Sequence, residues 1–86
     1  MAVTRGELID ALADQLGLQS PTQAEIESVL ALAATAAHGT GDRTSAPLAS
    51  YLAGIAAATT EERTDLLDRV RQQTGAITGP PGASAT

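Results

Sequence analysis

The stretch that decides the fold is HGTGDRTSAPLASYLAGIAAA, residues 38–58. A helix should end at its first two residues, His38 and a glycine, because glycine closes helices and a basic side chain is favoured in the last turn. The polar segment that follows has no hydrophobic periodicity, which is typical of a loop. Behind Ser45 and Pro47, apolar residues recur at helical spacing, and proline is favoured in a first helical turn. The stretch therefore predicts two helices joined by a loop at residues 40–45.

A helix is also predicted near the N-terminus. Thr4 and Glu7 have the spacing of a capping box, in which each side chain bonds the free backbone N–H of the other residue. Leucines then recur every four residues up to Leu16, as on one face of a helix. Gly17 can take the left-handed conformation that closes this first helix.

The remaining two helices have comparable start signals. Two starts are open for the second helix: a proline in the first turn at residues 20–21, or a capping box formed by Thr22 and Glu25. The fourth helix should follow a cap within residues 59–62, whose acidic side chains favour the positive end of a helix. It should end by Gly75.

These four segments predict an all-α fold, a compact four-helix bundle-like domain at residues 1–75. Residues 76–86, AITGPPGASAT, are rich in small residues, proline and glycine. Such a segment cannot bury enough apolar surface to hold itself in place, so we expect a flexible, disordered tail.

The core must be aliphatic, because the chain has no Phe, no Trp and one Tyr. A core of this kind leaves a small domain with modest stability, and a partner surface would add to it. The large aliphatic residues at helical spacing are assigned to the core. They are Leu8, Ile9, Leu12, Leu16, Ile26, Val29, Leu30, Leu48, Leu52, Ile55, Leu66, Leu67 and Val70.

The charge balance argues against nucleic-acid binding. The chain has a net charge of −5, and its 5 cations are scattered arginines, whereas phosphate binding needs clustered cations. It has no cysteine for a disulfide or a thiolate metal site. The N-terminus does not resemble a signal peptide, and the most apolar run, residues 46–58, is shorter than the roughly 20 residues of a membrane span. We expect a cytoplasmic protein that binds no nucleic acid, membrane, metal or cofactor.

His38 and Arg43 are the first candidates for a binding site. His38 has a structural interpretation as a helix-capping side chain, and a metal site or a general base there lacks supporting residues. Together with the helix start at Ser45 and Pro47, the two side chains could instead bind an anion or a partner carboxylate. The competing interpretation is that Arg43 pairs internally with a carboxylate. The candidates are Asp42, Asp14 and Glu27.

Tyr51 completes the candidate ligand- or partner-binding residues, and no residue is assigned as catalytic. As the lone aromatic residue it is either a core-edge residue or an interface anchor, since tyrosine is enriched at binding hot spots. Gly54, with Ala53 and Ala57, predicts a close helix crossing. A leucine at Gly54 should then destabilise the fold by about 1–3 kcal/mol through overpacking.

Residues 8–58 resemble a small actinobacterial helical domain of unknown function. That domain occurs alone or fused behind molybdenum cofactor guanylyltransferase-like domains. The informative matches are His38, Gly39, Arg43, Pro47, Leu48 and Gly54. The resemblance implies an association with molybdenum cofactor maturation or with a molybdenum enzyme, and it implies no known activity.

The sequence therefore favours a non-catalytic accessory or interaction module. From the resemblance, its role would be molybdenum cofactor delivery or molybdenum enzyme assembly, and its partner a molybdenum enzyme or a maturation factor. The alternatives are a homo-oligomeric scaffold that dimerises through the thin third helix, and a small anion- or nucleotide-binding protein that uses the loop between His38 and Arg43.

Overall fold

The computed structural model describes residues 2–79, and all regular secondary structure in this range is helical. The four helices are α1 (Arg5–Gln15), α2 (Gln23–Thr40), α3 (Ser45–Ala57) and α4 (Arg63–Thr78). The predicted all-α, four-helix fold is confirmed.

Both predicted capping boxes are present. The Glu7 N–H donates to Thr4 Oγ1 at 3.1 Å, and the Thr4 N–H donates to Glu7 Oε1 at 2.9 Å. The same pair of bonds joins Thr22 and Glu25, at 3.1 and 2.8 Å. Of the two starts considered for α2, the capping box is therefore the one used.

The end of α2 and both ends of α4 differ from the predictions. α2 continues through Gly39 to Thr40 and closes at Gly41, whose φ is 72°. α4 has no side-chain cap at Glu62; instead the Glu62 N–H donates to Thr60 Oγ1 at 3.1 Å. α4 also extends to Thr78, so the predicted tail begins inside a helix, and its remainder at residues 80–86 lies outside the described residues.

α2 is the central helix, because it packs against both α3 and α4, which also touch each other. α1 lies outside this three-helix core and packs against none of these helices along its length. Its Ile9 lines an apolar cavity of about 180 Å³ together with Ile26, Val29 and Leu30 of α2. None of the helices within residues 2–79 is long and apolar enough to cross a membrane.

The core is built on Leu32, Ala53 and Leu67, with Leu32 fully buried. Val29, Ala49 and Val70 pack around these three residues. Most of the predicted core leucines were assigned wrongly, because α1 packs against no other helix along its length and α3 turns its alanines rather than its leucines inward. The predicted core residues that are exposed are Leu8, Leu12, Leu16, Leu30, Leu48, Leu52 and Ile55.

Candidate functional site

The loop between α2 and α3 is organised by Thr40 and Asp42 rather than by the predicted pair, His38 and Arg43. The Thr40 hydroxyl donates to the Ala36 carbonyl O at 2.9 Å, and the Asp42 N–H donates to Thr40 Oγ1 at 3.2 Å. The Asp42 carboxylate accepts from both the hydroxyl and the N–H of Thr44, at 2.7 and 2.9 Å. These two bonds lower the pKa of Asp42 from its ordinary value, the hydroxyl contributing most.

The first three residues of α3 do not offer the free backbone donors that the sequence predicts there. The Ser45 N–H donates to the Asp42 carbonyl O at 3.0 Å, and the Ala46 N–H donates to the Arg43 carbonyl O at 3.2 Å. Pro47 has no N–H to offer. The Ser45 hydroxyl is also engaged, with its oxygen 2.8 Å from Thr40 Oγ1. Residues 45–47 therefore supply no free backbone donor to an anion.

His38 and Arg43 are both exposed. Within residues 2–79, His38 makes no side-chain hydrogen bond, so the capping of free carbonyls expected of it is not seen. Arg43 forms no ion pair within the same range, so the alternative of an internal tether to Asp42, Asp14 or Glu27 is not realised either. The described residues also contain no cluster of three or more His, Asp or Glu side chains placed to hold a metal ion.

Tyr51 belongs to a different feature, a row of large apolar side chains along the exposed face of α3. We call this row the outer stripe; it consists of Leu48, Tyr51, Leu52 and Ile55. Their spacing of three and four residues places them on one face of the helix. Their exposed fractions are 64, 68, 66 and 54%. The core-edge interpretation of Tyr51 is therefore wrong, and its interface interpretation stays a prediction.

The opposite face of α3 carries the alanines Ala49, Ala53 and Ala57, which pack towards α2 and α4. At about 100° per residue, this alanine face and the outer stripe lie on nearly opposite sides of the helix. The alanine face of α3 is therefore used within the chain, and the predicted dimerisation through this helix stays a prediction that only its outer face could serve.

Gly54 lies beside the outer stripe rather than at a helix crossing. A Cβ built at Gly54 would meet no atom within 4 Å. The residue lines an open groove of about 350 Å³ together with Leu18, Pro21 and Leu67. The predicted overpacking at Gly54 is therefore wrong, because there is space at this position.

Sequence reasoning missed Leu48, Leu52 and Ile55 as site residues because it assigned every large aliphatic side chain to the core. One signal could have identified them. α3 contains no charged residue and is apolar on all sides. A helix of that kind is normally covered on all sides.

The comparisons with known proteins identify a family without a known function. The chain matches a protein-family model described as Domain of unknown function (DUF6457) over residues 3–84. No curated protein and no solved structure is significantly similar to the chain. Since the match spans nearly the whole chain, the protein belongs to the DUF6457 family of domains of unknown function.

Proposed function

We propose that this protein is a non-catalytic interaction module that docks on another protein surface through the outer stripe of α3. The observation that carries the proposal is that four large apolar side chains, Leu48, Tyr51, Leu52 and Ile55, are each more than half exposed on one helix face. Contiguous apolar patches of this kind mark interaction sites in soluble proteins. Tyrosine and leucine at the centre of the patch supply contact area together with one polar hydroxyl.

Burial of this face offsets part of the free-energy cost of association. Full burial of a large apolar side chain contributes about 1.5–3 kcal/mol, so covering the exposed fractions of these four would contribute about 4–8 kcal/mol. Association itself costs on the order of 4–15 kcal/mol. The stripe alone therefore supports modest affinity, and polar contacts at its rim must add to it in a tight complex.

The loop at Arg43 is less well suited to be the main site. The backbone N–H groups of Ser45 and Ala46 are already bonded within the chain, and an isolated exposed arginine binds an anion weakly. We therefore assign Arg43 to the rim of the α3 surface, where it can pair with a partner carboxylate.

The finer proposal concerns the partner. Residues 8–58 resemble an actinobacterial domain that occurs alone or behind molybdenum cofactor guanylyltransferase-like domains. On that resemblance we propose a molybdenum enzyme or one of its maturation factors as a protein partner, with a role in cofactor delivery or enzyme assembly. No direct contact of this chain with the cofactor is part of the proposal.

Affinity purification from the native host tests both the docking through the outer stripe and the identity of the partner. The tagged full chain should retain a defined protein, and Leu52→Lys should lose it, because a charge in the stripe cannot be buried without a partner charge. Leu8→Lys, at an exposed leucine of α1, is the matched control and should retain it. Recovery of a molybdenum enzyme or maturation factor by the wild type supports the finer proposal. Equal recovery with wild type and Leu52→Lys would refute docking through the stripe.

A further inference from the structure

We propose that the outer stripe is covered by the outer stripe of a second copy of this chain, with the two α3 helices antiparallel about a two-fold axis. This inference rests on the proposed function, since it concerns the same surface: the second copy covers the stripe while the protein partner is absent, and that partner displaces it. It differs from a dimer through the thin face of α3, because that face is buried against α2 and α4.

The distribution of charge favours a second copy at this face. The chain has a net charge of −5, so two copies repel each other at long range. Every charged residue of the chain lies outside α3. Two α3 helices can therefore meet without placing like charges opposite each other, and their apolar side chains can be covered without burying a charge.

The two ends of α3 select the antiparallel orientation. Arg43 lies just before the helix, and Glu61 and Glu62 lie a few residues beyond its end. Within residues 2–79 none of these three side chains forms an ion pair in the single chain. An antiparallel pair brings Arg43 of each copy towards the glutamates of the other, and the two-fold axis repeats the contact. A parallel pair would instead place Arg43 next to Arg43.

The stripe also sets the register. It runs from Leu48 to Ile55, and its midpoint falls between Tyr51 and Leu52. A two-fold axis through this midpoint places Leu48 of one copy opposite Ile55 of the other, and it brings Tyr51 next to Leu52. The exposed area of the four side chains is roughly 300–400 Å² per copy. Standard interfaces bury about 800 Å² per partner, so the dimer belongs to the weak, reversible class.

Sedimentation velocity over a concentration series measures the association. The wild type should shift from monomer to dimer with a Kd of about 10 µM to 1 mM. Leu52→Lys should remain monomeric, and Leu8→Lys should behave as the wild type. Arg43→Glu should weaken dimerisation about three- to thirtyfold, and adding Glu61→Arg and Glu62→Arg to the same chain should restore it. Circular dichroism confirms that each variant keeps its helices.

Disulfide trapping tests orientation, because the chain has no cysteine of its own. A mixture of Leu48→Cys and Ile55→Cys chains in a glutathione redox buffer should form the mixed disulfide in preference to either homodimer. Leu8→Cys is the control and should form only background disulfide. Preferential linking of Leu48→Cys to itself would overturn the antiparallel arrangement.

Two further outcomes separate this inference from the proposed function. A chain that stays monomeric at millimolar concentration overturns the second copy as occupant. If such a monomer still retains another protein and loses it on Leu52→Lys, the interaction module stands with a different partner. If it retains nothing through the stripe, both proposals fail.

Discussion

Ala53 and Ile55 lie two residues apart on α3, yet Ala53 is 2% exposed and Ile55 is 54% exposed. Both side chains are apolar, so hydrophobicity alone does not explain which of them is buried. The difference is size. The alanine face lets α3 approach α2 and α4 closely. No other helix of the described chain packs on the leucines and tyrosine of the outer face. An apolar helix with small side chains on one face and large side chains on the other can thus complete a core with the first face and offer the second face for contact.

The largest expected effect comes from comparing the truncation of a buried core leucine with the truncation of an exposed leucine in the outer stripe. Leu32→Ala should lower the free energy of unfolding by about 2–5 kcal/mol, because the side chain is fully buried and leaves a cavity. Leu52→Ala should change it by less than about 0.5 kcal/mol in dilute solution. Urea denaturation of both variants measures the difference. A similar loss in the two variants would mean that the outer face is covered in the monomer.

Overpacking gives the second contrast. Ala53→Leu should destabilise the fold by about 1–3 kcal/mol, because the inner face has no room for the added side chain. Gly54→Leu is the matched variant at the next residue, where a Cβ meets no atom within 4 Å. It should leave stability unchanged or raise it by up to about 1 kcal/mol through helix propensity. Thermal unfolding compares the two, and a lower melting temperature for Gly54→Leu would show that its groove is filled.

Gly39 of α2 and Gly54 of α3 give a third contrast, between a closely packed glycine and one in open space. A Cβ at Gly39 would lie 2.6–2.7 Å from the side-chain atoms of Thr78, so Gly39→Ala must push the ends of α2 and α4 apart. We expect a loss of about 1–2 kcal/mol in urea denaturation. Gly54→Ala, in open space, should instead gain up to about 1 kcal/mol. If Gly39→Ala also stabilised the protein, the close approach of these helix ends would be wrong.

The smallest effect concerns the turn that starts α3. Hydrogen bonds from Thr44 lower the pKa of Asp42 in the folded protein, so they add stability above the ordinary pKa of the carboxyl. That contribution is lost as the pH falls through the folded value. Thr44→Val should raise the pKa of Asp42 by removing the hydroxyl bond, which carbon-detected NMR titration of the carboxyl measures. An unchanged pKa would show that this hydroxyl does not hold the turn.

Local signals in the sequence predicted the start of α1 correctly and left two starts open for α2, of which the capping box is the one used. The capping boxes of Thr4 with Glu7 and of Thr22 with Glu25 involve residues three positions apart, so no tertiary contact is needed to form them. The end of α2 depends on more distant partners. Gly39 stays helical where it lies against Thr78 of α4, a contact that no local pattern records.

The faces of the helices could not be derived from periodicity. α3 is apolar all round, so the pattern does not say which side turns inward, and volume decides in favour of the alanines. Leu32 was overlooked for the same reason, since alanines and leucines surround it on α2. The candidate site was predicted in part. Tyr51 was identified as a possible interface anchor, whereas its three aliphatic neighbours in the outer stripe were assigned to the core.

NMR of methyl groups tests most directly whether the outer face of α3 is exposed in the monomer. The signals of both faces of α3 and of the core are followed at several protein concentrations and with a soluble paramagnetic probe. In dilute protein, the probe should broaden the methyl signals of Leu48, Leu52 and Ile55 and leave those of Leu32 and Leu67 sharp. On concentration, the stripe signals should shift and become protected. Stripe methyls as protected as Leu32 in the dilute monomer would contradict the account, because the outer face would then already be part of the core.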